Sequence, residues 1–341
     1  MNRKKIQLVF FMIAIALMVT TACGNSQEAG NRTESPAAAS ATTNNASAEV
    51  SANKDTATEA SPSTADSEAS TRIYEHMAGS SEIPARAERV VTDWYYGQLV
   101  ALGIKPIGTD DFVWNNHPFI EKAGTESIGQ SLEKIIALQP DLILSWGAAK
   151  YDEYSKIAPT VPLELSGGPK ESVRIFGEIL GRETEAQQWI AQFDNKVQAS
   201  RDRISTAIDP KETFTIFNIW KNTLRVYGFV NMGGYALYEA LQVTPAPKVD
   251  EAFRNSEEWY REISFELLPE FAGDHIILTS YDPDGTSTVL KDLEASPLWN
   301  NLDAVKNGRV YTIDYNHLYN DDPIAVEHQV ELLAEAILAN R

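Results

Sequence analysis

The sequence predicts an α/β protein of two Rossmann-like lobes joined by one long helix, with a ligand cleft between the lobes. Three observations carry this expectation. Short apolar runs rich in β-branched and aromatic residues alternate with stretches of helical periodicity, the pattern of mostly parallel sheets covered by helices. A polar-rich stretch without Gly or Pro, residues 183–206, divides the alternation in two. On each side of it the same helix–turn–strand unit occurs once, starting at Ser131 and at Ser264.

The elements follow in order. Arg3, Lys4 and Lys5 form a cationic start, Ile6 to Val19 is apolar apart from Gln7, and Thr20, Thr21 and Ala22 lead into Cys23. This is the layout of a secretory signal, residues 1–22. The run is shorter than the ~20 residues of a membrane-spanning helix, and small residues end it where a permanent anchor would carry Lys or Arg. Cys23 is the only cysteine, so an intramolecular disulfide is excluded. From Cys23 to residue 71 the chain is almost all Ala, Ser, Thr, Asn and acids, with no aromatic residue before Tyr74. Such a segment cannot bury enough apolar surface to offset its ordering entropy. It reads as a disordered tether with an r.m.s. span of roughly 35–40 Å.

Composition changes near residue 72, and all seven Trp and thirteen Tyr lie beyond it. The first lobe is expected over 72–182. Residues 89–96 read as a strand running into a loop, 97–104 as a short helix, 131–147 as helix, turn at Gln139-Pro140 and buried strand, and 171–181 as an amphipathic helix. Residues 183–206 would form the connecting helix, about 35 Å long. The second lobe, 207–341, restarts the plan: a strand at 213–220, a hairpin partner at 224–228, a helix at 234–243 and the repeated unit at 264–281. Aligning Ser131 with Ser264 matches Glu133 with Glu266 and Asp141 with Asp274, and the following strands end in Trp146 and Tyr281. In such sheets ligands bind beyond the carboxyl ends of the strands, so facing lobes with aromatics at those ends describe a cleft.

The net charge of −19 argues against nucleic acid or an anionic membrane surface as a partner. No G-x-S-x-G elbow, P-loop or G-x-G-x-x-G is present, and no two of the five histidines stand at a metal-ligand spacing such as H-x-x-x-H. A site built from scattered histidines and carboxylates stays open. His275 reads as a structural strand residue and "DPDG" (282–285) as a turn. The sequence argues for binding rather than catalysis.

With these parts in place the chain resembles the substrate-binding lipoproteins of ABC importers, in the iron–siderophore and vitamin B12 group. The resemblance rests on "LVALGIKPIGT" (99–109), "SLEKIIALQPDLIL" (131–144), "EISFELLPEFAGDHIIL" (262–278) and "LKDLEASPLWNNLDAVKNGRVYTID" (290–314). It implies that the connecting helix is rigid and that Cys23 stands in a lipobox, although Thr20 replaces the usual Leu. It implies a chain lipid-anchored on the extracytoplasmic face of the cell membrane, not an enzyme, with no cofactor beyond ferric iron carried as its siderophore complex. The implied partners are that siderophore and an ABC permease dimer, met by a monomer. Two carboxylates, Glu133 and Glu266, would meet arginines on the permease.

Catecholate binders of this group place several Lys and Arg in the cleft. Here the matching places read "FVWNNHPF" (112–119), Gln130, Asn218 and Trp220, which counts against a catecholate and points to a hydroxamate. Candidate ligand contacts are Trp94, Tyr95, Trp114, Gln130, Trp146, Trp220, Tyr227, Tyr281 and Tyr315, with Arg225 to hydrogen-bond a ligand oxygen. Cobalamin, haem and ferric citrate remain alternative ligands. An extracytoplasmic enzyme or scaffold on the same lobes is the alternative from another class.

Overall fold

The computed structural model describes residues 70–165 and 167–339. The expected signal, the Cys23 lipidation and the tether up to residue 69 lie outside the described residues. Among the described residues, no helix is long and apolar enough to cross a membrane.

The described chain opens on an antiparallel hairpin, β1 (Thr71–His76) and β2 (Gly79–Pro84). The first lobe continues as β3 (Val90–Thr92), α1 (Tyr96–Ala101), β4 (Gly108–Thr109), α2 (Asp111–Asn116), β5 (Glu126–Ser127), α3 (Leu132–Leu138), β6 (Leu142–Trp146), α4 (Tyr151–Tyr154), β7 (Thr160–Leu163) and α5 (Pro169–Leu180). Its five strands form one parallel sheet in the order β5-β4-β3-β6-β7.

Helix α6 (Glu183–Ile204) is the connecting helix, 22 residues and therefore about 33 Å long. Its buried stripe, Ala186, Trp189, Phe193, Val197, Ser200 and Ile204, recurs every three or four residues, which is why so polar a stretch still docks as a helix. It packs against α5 and the last helix.

The second lobe comprises β8 (Thr213–Trp220), β9 (Thr223–Tyr227), a helical segment Tyr235–Ala240, β10 (Thr244–Pro245), α7 (Pro247–Phe253), β11 (Tyr260–Ile263), α8 (Leu268–Phe271), β12 (His275–Tyr281), α9 (Val289–Ala295), α10 (Pro297–Asn300), α11 (Asp303–Lys306), β13 (Val310–Thr312), α12 (Tyr315–Tyr319) and α13 (Pro323–Ala339). The sheet order is β11-β9-β8-β12-β13, with β10 beside the start of β8. Strands β8, β12 and β13 are parallel, whereas β9 runs against them and pairs antiparallel with both β8 and β11. The two-residue Lys221-Asn222 turn forces that reversal, with Lys221 at φ 51° and its N–H donated to Tyr281 O at 2.8 Å.

The repeat read in the sequence is a repeat in three dimensions. In each lobe the repeated unit's strand pairs in parallel with the lobe's first strand, β6 with β3 and β12 with β8. The matched aspartates do the same work. Asp141 accepts the N–H groups of Glu88 and Arg89 at 2.9 and 3.0 Å, just ahead of β3. Asp274 accepts the N–H of Thr213, the first residue of β8, at 2.8 Å. Each pins the entry of the first strand to the strand it must pair with.

Two features depart from the expectations. Residues 235–240 form a π-helical segment, Tyr235 N–H reaching back to Val230 O and Leu241 N–H to Ala236 O, five residues apart in each case. Helix α13 packs against α1 and α5 of the first lobe and against α6 and the π-helical segment, so a second helix ties the lobes.

Candidate functional site

The carboxyl ends of the central parallel strands converge on a cleft between the lobes. Strand β3 runs into Asp93, Trp94 and Tyr95. Thr92 Oγ1 accepts the N–H of Tyr95 at 2.9 Å and folds this loop back. Strand β6 ends at Trp146, whose N–H donates to Asp93 Oδ1 at 2.8 Å, so the two strand ends are tied and their indole rings meet at 6.0 Å, edge to face. In the second lobe the paired ends of β8 and β12, Trp220 and Tyr281, stack at 4.6 Å.

From these ends a continuous aromatic wall crosses from lobe to lobe. Trp94 stacks on Phe112 of α2 at 6.1 Å, and Phe112 meets Tyr319 of α12 at 5.7 Å. Tyr319 contacts Tyr315 at 5.1 Å, and Tyr315 contacts Tyr281 at 4.5 Å. Arg225 closes the far end, its guanidinium over Trp220 at 5.1 Å and over Tyr260 at 4.4 Å, while Tyr260 stacks on Tyr227 at 5.4 Å.

Beside this wall lies a cavity of about 500 Å³. The first lobe lines it with Trp94, Tyr95, Gln98, Trp146, Leu165, Gly167 and Ser172, and the second with Val230, Asn231, Ser256, Glu257, Trp259, Tyr319, Asn320 and Asp321. Trp146 and Trp259, on facing lobes, are 48% and 49% exposed, an unusual state for indoles that no protein group covers. Among the described residues, no Lys, Arg or His lines the cavity.

The site's electrostatics follow from burial. Desolvation pushes the Asp93 carboxyl up to about 6, against the Trp146 N–H bond that lowers it. Asp321 is reached by solvent from the cavity, yet protein surrounds it closely enough that desolvation, with Asp322 adjacent, raises its carboxyl to about 6. Burial raises the hydroxyls of Tyr95 and Tyr315. Tyr95 donates to Leu163 O at 2.7 Å, whereas the buried Tyr315 hydroxyl has no partner. Gln98 Oε1, Asn231 Oδ1 and Asn320 Nδ2 are likewise buried without partners.

Behind the cavity the lobes are clasped. His117 Nε2 donates to Asp322 Oδ2 at 2.9 Å, and Asp322 Oδ1 accepts the N–H of Ala325 at 3.1 Å at the start of α13. Phe119 packs edge-on against His317 and His328. Among the described residues, no group of three or more His, Cys, Asp or Glu is placed to hold a metal.

Of the residues singled out from the sequence, Trp94, Tyr95 and Trp146 line the cavity. Trp220, Arg225, Tyr227, Tyr281 and Tyr315 belong to the continuing wall. Arg225 is neither solvated nor free: its register partner on β11, Glu262, accepts from it at 2.9 Å. Three positions lie elsewhere. The Trp114 ring sits under Lys122 Nζ at 5.2 Å, because two residues along a helix turn a side chain by about 200°, and Phe112 is the residue of α2 that faces the cleft. Gln130 is exposed on the loop before α3 and does not line the cavity. Asn218 is fully buried within the sheet, its amide donating to Thr279 O.

Glu133 and Glu266 are both exposed and both held as the repeat implies. Ser131 Oγ donates to Glu133 Oε2 at 2.9 Å. The Glu133 carboxyl is lowered first by its own backbone N–H and then by Ser131, and that of Glu266 first by Ser264 and then by its own N–H.

Comparison with known proteins places this geometry. A family model described as periplasmic binding protein matches residues 98–316. The iron(3+)-hydroxamate-binding protein YxeB of Bacillus subtilis is 35% identical, over 85% of this chain and 92% of that one. The iron(3+)-hydroxamate-binding protein FhuD of the same organism is 34% identical, over 79% and 87%. Among solved structures, a FhuD-fold periplasmic binding protein component of a ferrichrome ABC transporter, also from Bacillus subtilis, superposes with a TM-score of 0.69. It is 33% identical and matches over 77% of this chain and 99% of that one.

Proposed function

The chain belongs to the periplasmic binding protein family, and we propose that it is an extracytoplasmic receptor that takes up a ferric hydroxamate siderophore and delivers it to an ABC permease. It is a binding protein and not an enzyme. The iron is cargo, already wrapped by the siderophore, so the protein needs only to cover and orient the complex.

The observation that carries the reading is the character of the cavity. It lies between the lobes at the strand ends, it carries Trp94, Tyr95, Trp146, Trp259 and Tyr319 beside polar residues, and no cation lines it among the described residues. A ferric tricatecholate is a trianion and needs several basic groups, whereas a ferric trihydroxamate core is neutral. Arg225 does not change this balance, since Glu262 offsets it. Aromatic faces supply rigid apolar area for the methylene chains of such a ligand. The names of the two Bacillus subtilis relatives support the same ligand class. Trp94, Tyr95, Trp146, Trp220, Arg225, Tyr227, Tyr281 and Tyr315 are the proposed contacts among those read from the sequence, joined by Phe112, Tyr260 and Tyr319.

Delivery is assigned to Glu133 and Glu266, one per lobe. Each stands beside an exposed apolar residue, Ile136 at 55% and Leu267 at 36% exposed, as a docking edge requires. The lobes are divided as 72–182 and 207–341, with Cys23 the lipid attachment point and the segment to residue 71 the tether. Two acyl chains give stable anchoring where one is marginal. Titration of tryptophan fluorescence against ferric trihydroxamates and ferric tricatecholates tests the ligand class. Sub-micromolar quenching by hydroxamates alone is expected, and tight catecholate binding without a hydroxamate response would overturn the assignment.

A further inference from the structure

Resting on the hydroxamate reading, we propose that Asp321, with the amide oxygens of Gln98 and Asn231, forms a subsite that selects ferric trihydroxamates bearing a free primary ammonium over neutral or anionic ones. Among the described residues the cavity is lined by two carboxylates, Asp321 and Glu257, and by no basic residue. Among the described residues Asp321 makes no ion pair, and the acid next to it, Asp322, is already taken up by His117 at 2.9 Å. The Asp321 charge is therefore uncompensated within the cavity.

The amides say what would compensate it. Gln98 is 7% exposed, lines the cavity, and its Oε1 is buried without a donor. Asn231 Oδ1 is in the same state. A buried acceptor left unpaired is costly, so such atoms mark where a ligand donor is expected. An ammonium is the complementary group, since it carries three N–H donors and no acceptor. Asn320 Nδ2, buried and unpartnered in the same lining, is the matching donor for an amide carbonyl of the ligand chain. The Trp94 ring, in the same lining, adds a face that attracts a cation. The ferric core would then rest toward the aromatic wall, with the charged tail toward Asp321.

The test compares ferrioxamine B with its N-acetylated form, which has the same ferric core but no positive charge. Equilibrium titrations of the purified protein should give at least tenfold tighter binding of the ammonium form. In Asp321→Asn that ratio should fall toward one, and Glu257→Gln should lower it less. A parent ratio near one, or a ratio unchanged in Asp321→Asn, overturns the subsite while leaving the hydroxamate reading standing. Binding of neither form, with other ferric trihydroxamates still bound, overturns the subsite alone, and a lack of response to all of them removes the hydroxamate reading with it.

Discussion

Replacing Gly97 with alanine should loosen the clasp between the lobes. Gly97 lies in the first turn of α1, and a Cβ there would fall 1.8 Å from Asp322 Oδ1, 2.3 Å from its Cγ and 2.8 Å from its Cβ. The aspartate cannot swing aside without losing partners, because Oδ2 holds His117 at 2.9 Å and Oδ1 caps α13 through Ala325 N–H at 3.1 Å. Losing a helix N-cap costs ~0.5–2 kcal/mol, and losing a hydrogen bond to a charged group costs ~1.5–3 kcal/mol. Alanine regains up to about 1 kcal/mol of helix propensity. The net loss is therefore about 1–4 kcal/mol, measured as a shift in urea midpoint at constant slope. The steric account makes a sharper demand: in an Asp322→Ala background, Gly97→Ala should be neutral or stabilising. Equal costs in both backgrounds, or a single-variant loss below about 0.5 kcal/mol, would refute it.

Trp220→Ala should weaken siderophore binding by ~1–3 kcal/mol, the usual cost of an aromatic anchor, whereas Trp114→Ala should leave it unchanged; calorimetric titration of both separates wall from outlier. Asp93→Asn keeps an acceptor for Trp146 N–H and removes a carboxyl whose folded pKa, about 6, lies above its unfolded value. Below the unfolded pKa both states are protonated and nothing is lost; above about pH 6 the folded state bears the cost of the buried charge. The variant should thus gain about 2–3 kcal/mol at pH 7.5, falling to about a third of that at pH 4.5, and a gain equal at both pH values in urea unfolding would contradict this. Glu133→Ala and Glu266→Ala should each leave ligand affinity and Tm nearly unchanged yet reduce iron uptake, with the double variant worse; normal uptake by the double variant returns both residues to helix capping.

The parts of the fold legible in the sequence were those encoded locally. Ser131, Glu133 and Asp141 recur at fixed offsets as Ser264, Glu266 and Asp274; the two aspartates act on backbone at the entry of the neighbouring strand and Ser131 accepts Lys134 N–H, whereas Ser264 makes no such cap. Trp94, Trp146, Trp220 and Tyr281 were legible as positions for the same reason, since they stand at or just beyond the carboxyl ends of parallel strands, where ligand clefts of such sheets open. Helix phase was not legible: Asp110 fixes the start of α2 by accepting Phe112 N–H at 2.7 Å, and that phase turns Phe112, not Trp114, inward. The neutralising of Arg225 depends on the register of β11, which no local pattern specifies. Asn231, Glu257 and Trp259 sit between regular elements and Asp321 between α12 and α13, where no periodicity marks a lining residue.

The central claim is that the interlobe cavity holds the ferric complex against the aromatic wall. Anomalous diffraction at the iron edge, from crystals of the protein grown with a ferric trihydroxamate, locates the metal directly. The account predicts one strong peak between the lobes, bordered by Trp94, Trp146 and Tyr319 with no protein atom coordinating it. A peak on an outer face, or one ligated by protein side chains, would contradict it.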